Sequence, residues 1–331
     1  MKEKETETIK AGNPKDIVKS RYDACAEQGG GEGAVCCAGD TPASPSFAAE
    51  HGLYSREELS LVPKIAFALS RGCGNPAGFA DLQPGEVVVD FGCGAGIDVV
   101  LAAHKVGPVG KVVGVDMTPH MIERAKQSVA EAHVAETTEF LLADLERVEL
   151  PDGFADVVIS NCVINLCPDK EAVYREAFRV LKPGGRLAIS DIVYGGEIDP
   201  QVRERFQASW AGCVGGAIEE DRYFQILQDV GFGQVEIVAR HPLQPKELEE
   251  MACCPGPEFT PAPAKDDIAS VEGKVVSIKF RAGNPRTHWL RVLVEGEAGL
   301  GTGGSILAST SGASEAFTLY KVHRRPSHQL G

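Results

Sequence analysis

Glu86-Val87-Val88-Val89-Asp90-Phe91-Gly92-Cys93-Gly94-Ala95-Gly96 decides the fold. A short apolar run closes on a carboxylate and passes into alternating glycines, ahead of a helical pattern over residues 97–106. Glycine lacks a side chain and tolerates turn conformations, so a loop of this kind lets a nucleotide approach bare backbone between a strand and a helix. The spacing is Gly-x-Gly-x-Gly, and Ile97 stands three places after Gly94, so the dinucleotide fingerprint Gly-x-Gly-x-x-Gly is not met. That counts against a nicotinamide dehydrogenase.

Outward from this loop the pattern alternates. Strands are expected at residues 86–90, 111–116, 139–144, 155–161 and 186–193, and helices at 97–106, 119–133 and 169–181. Such βαβ alternation predicts an α/β fold, a doubly wound and mostly parallel sheet. Thr118 is a natural N-cap, with Pro119 at the first helical position, where a missing N–H costs nothing. Val173, Ala177 and Leu181 share one helix face, and Lys182-Pro183-Gly184-Gly185 breaks that helix before the next strand. Beyond Tyr194 helices at 201–211 and 220–230, strands at 235–239 and 274–281, and a short helix at 247–251 read as a small appended α+β substrate domain. That domain also supplies the last strands of the sheet.

Four regions follow: a mobile N-terminal arm over residues 1–50, a core domain over 51–195, the appended domain over 196–283, and a Gly/Ser-rich, poorly ordered tail over 284–331. The arm has a short helical patch at 16–24 and carries Cys36 and Cys37. A helical stretch from Ser55 to Leu69 ends at Arg71-Gly72-Cys73-Gly74-Asn75-Pro76, which places Cys73 in a tight turn.

The 331 residues carry a formal charge of −14, which disfavours nucleic acid and anionic membranes and leaves small molecules as partners. The charged start, Met1-Lys2-Glu3-Lys4-Glu5, lacks an apolar secretion core, and no run is long enough to span a membrane, so a cytoplasmic protein is expected. Ten cysteines in a reducing compartment point to free, metal-binding or redox-active thiols more than to structural disulfides. Any one of them can still be a small core residue.

Asp90, Asp116 and Asp144 close three successive strands. A strand-end aspartate often caps the next helix, but three in order are harder to explain that way. Over residues 84–193 the set resembles the class I S-adenosylmethionine-dependent methyltransferases, with their Rossmann-like sheet. The resemblance implies that Asp90, Gly92, Gly94 and Gly96 form the nucleotide loop, that Asp116 binds the ribose, and that Asp144 lies near the adenine amine. Met117, Leu145 and Asn161 complete the implied S-adenosylmethionine site.

No His/carboxylate pair offers a general base. Cysteine instead stands at element ends: Cys73, Cys162 in Ser160-Asn161-Cys162-Val163-Ile164-Asn165-Leu166, and Cys213 in Gly212-Cys213-Val214-Gly215-Gly216. In an open α/β sheet a residue just past a strand faces the ligand cleft, which makes Cys162 a candidate for chemistry. Three separated thiols suit a soft thiophilic ion better than a zinc site built from tandem pairs. These motifs, with Gly72-Cys73-Gly74-Asn75-Pro76 and Val115-Asp116-Met117-Thr118, are similar to the microbial arsenite S-adenosylmethionine methyltransferases over about residues 21–282.

That resemblance implies trivalent arsenic held by Cys73, Cys162 and Cys213, arsenite and methylarsenite as substrates, and a thiol reductant of thioredoxin or glutathione type. It also implies a redox role for an arm cysteine, Cys37 or its neighbour Cys36, closing onto Cys73. Cys93 reads as a packing residue, and the doublet Cys253-Cys254 has no derived role. Two other readings stay open: a different small-molecule C-methyltransferase on the same cofactor domain, and a non-catalytic thiol carrier for a metalloid.

Overall fold

The computed structural model describes residues 13–27, 53–208, 213–252, 264–285, 289–291, 306–310 and 317–321. The chain divides into two units, Met1–Asn284 and Pro285–Gly331.

The first unit opens with helix α1 (Pro14–Glu27), followed by α2 (Arg56–Leu61), α3 (Lys64–Leu69) and α4 (Pro76–Phe79). Strand β1 (Val87–Phe91), α5 (Ile97–Val106), β2 (Lys111–Asp116), α6 (Pro119–Glu131) and β3 (Thr138–Leu142) come next. Then follow β4 (Ala155–Asn161), α7 (Lys170–Val180), β5 (Leu181–Tyr194), α8 (Pro200–Ala208), α9 (Glu220–Val230) and β6 (Gly233–Pro242). Helices α10 (Pro245–Ala252) and α11 (Lys265–Ser270) precede β7 (Val275–Gly283). The seven strands form one sheet in the order β3-β2-β1-β4-β5-β7-β6, parallel from β3 to β5, with β7 antiparallel to both neighbours.

The chain runs outward from β1 to β3 and returns to β4 on the other side of β1. The crevice beyond the carboxyl ends of β1 and β4 is therefore the switch point at which ligands bind in such sheets. The central strands are valine-rich because both faces are covered. Val89, Phe91, Val113, Val115 and Val158 pack on one side with Tyr174 and Ala177 of α7. Val88, Val112, Val157 and Ile159 pack on the other with Val99, Val100 and Ala103 of α5.

Several expectations need correction. The Thr118 hydroxyl does not cap α6 but donates to Asp116 Oδ1, inside the binding loop. Leu181 belongs to β5 and not to the helix. The pairing of β4 with β5 jumps from Ala155–Leu181 to Val157–Arg186, so the Lys182-Pro183-Gly184-Gly185 break lies within the strand. The helical patch expected at 16–24 is longer, a helix over residues 14–27 seated on α6. Val18, Tyr22 and Ala26, four residues apart, supply its inner face. The backbone N–H of His120 donates to Asp23 Oδ1 at 3.1 Å and Arg124 Nε to the Ala26 carbonyl at 2.9 Å. The remainder of the arm, including Cys36 and Cys37, and the Cys253-Cys254 doublet lie outside the described residues.

The region expected as an appended domain contributes β6 and β7 to the main sheet and clusters with the rest of the first unit. In the second unit, where a poorly ordered tail is expected, β8 (Trp289–Arg291), β9 (Ile306–Thr310) and β10 (Phe317–Lys321) form an antiparallel sheet in the order β10-β9-β8. The last two strands are short runs rich in the β-branched and aromatic residues that favour strands. No helix of the described residues is long and apolar enough to cross a membrane.

Candidate active site

The glycine loop takes left-handed backbone at Gly92 (φ 76°), Gly94 (φ 51°) and Gly96 (φ 91°). These three glycines serve different ends. A Cβ on Gly92 would strike Val163 at 2.4 Å, and one on Gly96 would press on Ala125 at 3.3 Å, so both allow close packing. A Cβ on Gly94 would meet nothing within 4 Å, because that backbone faces the crevice. Asp116 holds the loop in place: its Oδ2 accepts the Gly94 N–H at 3.0 Å and its Oδ1 the Thr118 N–H at 2.9 Å. Burial raises the Asp116 pKa, against the hydrogen bonds that favour its charge.

Over this loop lies a mostly apolar cleft that the glycine loop, the ends of the strands and α1 wall in. Of the residues expected there, Gly92, Gly94, Asp116, Met117, Asp144, Leu145 and Asn161 line it. Asp90 and Gly96 do not. Asp90 is buried beneath the loop, where burial and the nearby Asp98 and Asp116 carboxylates raise its pKa well above the usual range. Helix α1 supplies Lys15, Val18 and Tyr22 to the cleft wall. Lys15 Nζ pairs with Asp144 Oδ2 and Glu146 Oε2, both at 2.7 Å.

Asn161, at the end of β4, joins the cleft to the Cys73 turn. Its Nδ2 lies 2.8 Å from the Gly74 carbonyl, 3.0 Å from Asp98 Oδ2 and 3.1 Å from the Tyr54 hydroxyl, while its Oδ1 accepts the Gly74 N–H at 3.2 Å. Gly72 is obligatory beside it, since a Cβ there would sit 2.3 Å from Asn161 Nδ2. Burial pushes Asp98 up to about 7 against the bonds from Asn161 and Tyr54.

The structure brings Cys73, Cys162 and Cys213 into one buried cluster, 3%, 2% and 6% exposed, although 89 residues separate the first two and 51 the second pair. Cys162 has left-handed backbone (φ 62°), uncommon for a residue with a side chain and characteristic of functional positions. The Cys213 thiol donates to the Cys162 carbonyl at 3.3 Å, and Cys73 Sγ lies 3.5 Å from Ser190 Oγ. Burial, followed by hydrogen bonds with the Cys213 and Cys73 thiols, raises the Cys162 pKa well above that of a free thiol. Cys162 also lines the cleft. The thiols are neighbours without forming a closed chelate: among the described residues no group of three or more His, Cys, Asp or Glu side chains is arranged to hold a metal ion.

The other thiols stand apart. Cys93 is buried, and a Cβ on Gly114 of β2 would approach its sulfur to 2.9 Å, in keeping with packing. Burial pushes Cys167 up to about 12, and its thiol points to the Val163 carbonyl at 3.7 Å. Cys25, on α1, is disulfide-bonded, whereas Cys73, Cys93, Cys162, Cys167 and Cys213 are free. Sequence reasoning missed Lys15, Tyr22, Tyr54 and Asp98. The four-residue spacing of Val18, Tyr22 and Ala26 was the available signal for Tyr22; the others have none.

A methyltransferase-domain family matches residues 82–231. The chain is 43% identical to an arsenite methyltransferase of Halobacterium salinarum over 68% of its own length and 56% of that protein's. It is 34% identical to the human arsenite methyltransferase over 50% of its length and 46% of that protein's. The chain thus spans about half the length of the curated relatives it matches. Among solved structures, the arsenic(III) S-adenosylmethionine methyltransferase of Chlamydomonas reinhardtii is 30% identical, with 72% of this chain and 74% of that one covered and a TM-score of 0.53. The [4+2]-cyclase SpnF, 18% identical with a TM-score of 0.55 and 83% and 98% coverage, bears on the fold alone.

Proposed function

This chain belongs to the arsenite S-adenosylmethionine methyltransferase family, and on that premise we propose that it transfers methyl groups from S-adenosylmethionine to trivalent arsenic held by Cys73, Cys162 and Cys213. One observation carries the reading: Cys162 both lines the nucleotide cleft and shares one buried cluster with Cys73 and Cys213, whose thiol bonds to the Cys162 carbonyl.

The cleft fits the methyl donor. The bare Gly94 backbone opens onto it, and Asp116, Met117, Asp144 and Leu145 would hold the nucleoside. The bound donor supplies an electrophilic methyl on a sulfonium sulfur. The chain's part is to gather and orient the nucleophile. Arsenite is a neutral trihydroxide, so each thiol that binds releases one water, and the thiol proton leaves with the hydroxide. The raised pKa of Cys162 is no obstacle under that stoichiometry, and no general base is needed. Three sulfurs around arsenic leave one lone pair, which must point toward the cleft for transfer, and positioning supplies most of the catalysis.

Methyl transfer formally oxidises arsenic to the pentavalent state. Two electrons return when a thiol pair closes to a disulfide, later reopened by exchange with an external dithiol or glutathione. Cys73, free in the structure, is one member, and Cys37 or Cys36 of the arm is the other. A reducing, cytoplasmic setting suits this cycle.

The test incubates the pure full chain with arsenite, S-adenosylmethionine and a thiol reductant and separates the arsenic species. The wild type is expected to form methylated arsenicals, and Cys162→Ser few or none. Equal product from both would remove the thiol cluster from the reaction.

A further inference from the structure

Asn165 follows Cys162 by three residues, is fully buried, and does not itself line the cleft. Its Nδ2 donates to the Ile192 carbonyl at 2.6 Å and to the Cys213 carbonyl at 3.3 Å. Its Oδ1 is buried without a partner, so the amide orientation is set entirely by the two carbonyls its N–H groups serve. A buried acceptor left unpaired is costly and calls for an explanation. The residue is also held from behind. Asp191 accepts the Asn165 backbone N–H, and with it the Ile192 N–H and the Tyr223 hydroxyl, each of these two at 2.9 Å. Lys170 Nζ donates to the Asn165 carbonyl at 3.2 Å. The glycine-rich segment after Cys213 lies against it closely enough that a Cβ on Gly216 would fall 1.8 Å from that same carbonyl.

We propose that Asn165 is a positioning residue for the arsenic site: anchored by Asp191, it fixes the backbone of Cys213 relative to Cys162, so that the third sulfur can reach an ion bound by the other two. The proposal rests on the arsenite-methylating reading given above. Each of the other two thiols has an anchor of its own. Cys162 is pinned by its N–H to the Ser190 carbonyl at 2.7 Å, and the Cys73 turn by Asn161 and by Ser277 Oγ at 3.2 Å. Across from Asn165, the Cys213 segment is held by the Tyr194 hydroxyl on the Val214 carbonyl at 2.9 Å.

The experiment titrates arsenite into the full chain and counts As–S bonds by X-ray absorption, with S-adenosylmethionine affinity measured in parallel. The wild type is expected to bind arsenite through three sulfurs. Asn165→Ala is expected to lose about tenfold in arsenite affinity, to retain two sulfurs, and to keep its S-adenosylmethionine affinity within about twofold. Cys213→Ser should mimic it, and the double variant should lose no more than Cys213→Ser alone, because both act on the same sulfur. Should Asn165→Ala fail to fold, Asn165→Ser serves, since its short hydroxyl cannot reach the Cys213 carbonyl and predicts the same loss. Three sulfurs and wild-type affinity in a folded variant would overturn the positioning role alone. A parallel fall in S-adenosylmethionine affinity would also overturn it, by showing general damage. A wild-type chain that binds no arsenite through three sulfurs would take down the arsenic-site reading and this proposal together.

Discussion

Asn161→Ala tests how the Cys73 turn is tied to the cleft. The substitution removes the bond donated to the Gly74 carbonyl, the bond accepted from the Gly74 N–H, and the bond to Asp98. Each of the first two contributes about 1 kcal/mol, and the third about 1.5–3 kcal/mol when Asp98 is ionised. Its worth therefore depends on pH. With burial pushing Asp98 up to about 7, the folded wild type holds it mostly protonated at pH 6 and ionised at pH 9. A carboxyl raised by folding confers stability below its unfolded pKa that is lost as pH rises through the folded pKa. Because Asn161 lowers the Asp98 pKa, its removal extends that loss to higher pH. The expected destabilisation is about 3 kcal/mol at pH 6 and about 4 kcal/mol at pH 9, read by urea unfolding of variant and wild type at both values. Cys73 should also label faster with a thiol reagent in the variant. A loss below about 1 kcal/mol at both pH values, or one smaller at pH 9 than at pH 6, would refute the coupling.

Other residues give further tests. Burial pushes Asp191 up to about 6, so stability should fall by about 2 kcal/mol as pH rises from 4 to 7 on its account, and Asp191→Asn should flatten that part of the unfolding profile. An unchanged profile would rule out the raised carboxyl. Gly216→Ala drives a Cβ into the Asn165 carbonyl and should cost about 3 kcal/mol or abolish folding. Gly94→Ala, which meets no atom but sits at φ 51°, should cost only about 1 kcal/mol while weakening S-adenosylmethionine binding. Calorimetry that ranks these two glycines the other way would contradict the packing described. Lys15→Met frees the Asp144 carboxylate for an adenine amine, and should change S-adenosylmethionine affinity upward by no more than about fivefold, the worth of a half-exposed ion pair. A fall in affinity would instead assign Lys15 to the ligand.

Much of the sheet was legible because its signals are local. The valine run into Asp90 and the glycines, the turn residues and the helical periodicities each lie within a few positions of one another, and β2, β4, α5 and α9 begin and end at the expected residues. A parallel sheet buried on both faces writes itself into the chain as apolar strands between amphipathic helices. Helix α1 was underread, since a 14-residue amphipathic stretch is marginal alone and gains its stability by docking on α6.

The chain's own pattern determined a doubly wound scaffold, a nucleotide loop and cysteines at element ends, because strand-to-loop boundaries and glycine spacing are set by short-range backbone preferences. Only the tertiary structure decided that Cys73, Cys162 and Cys213 share one buried cluster, that Asp90 lies beneath the loop and not in the cleft, and that Asn161 bonds to the Gly74 backbone beside Cys73 and Asn165 to that of Cys213. Those relations join residues dozens of positions apart through hydrogen bonds whose strength comes from exclusion of water, a condition that exists only once the sheet and helices have closed around them.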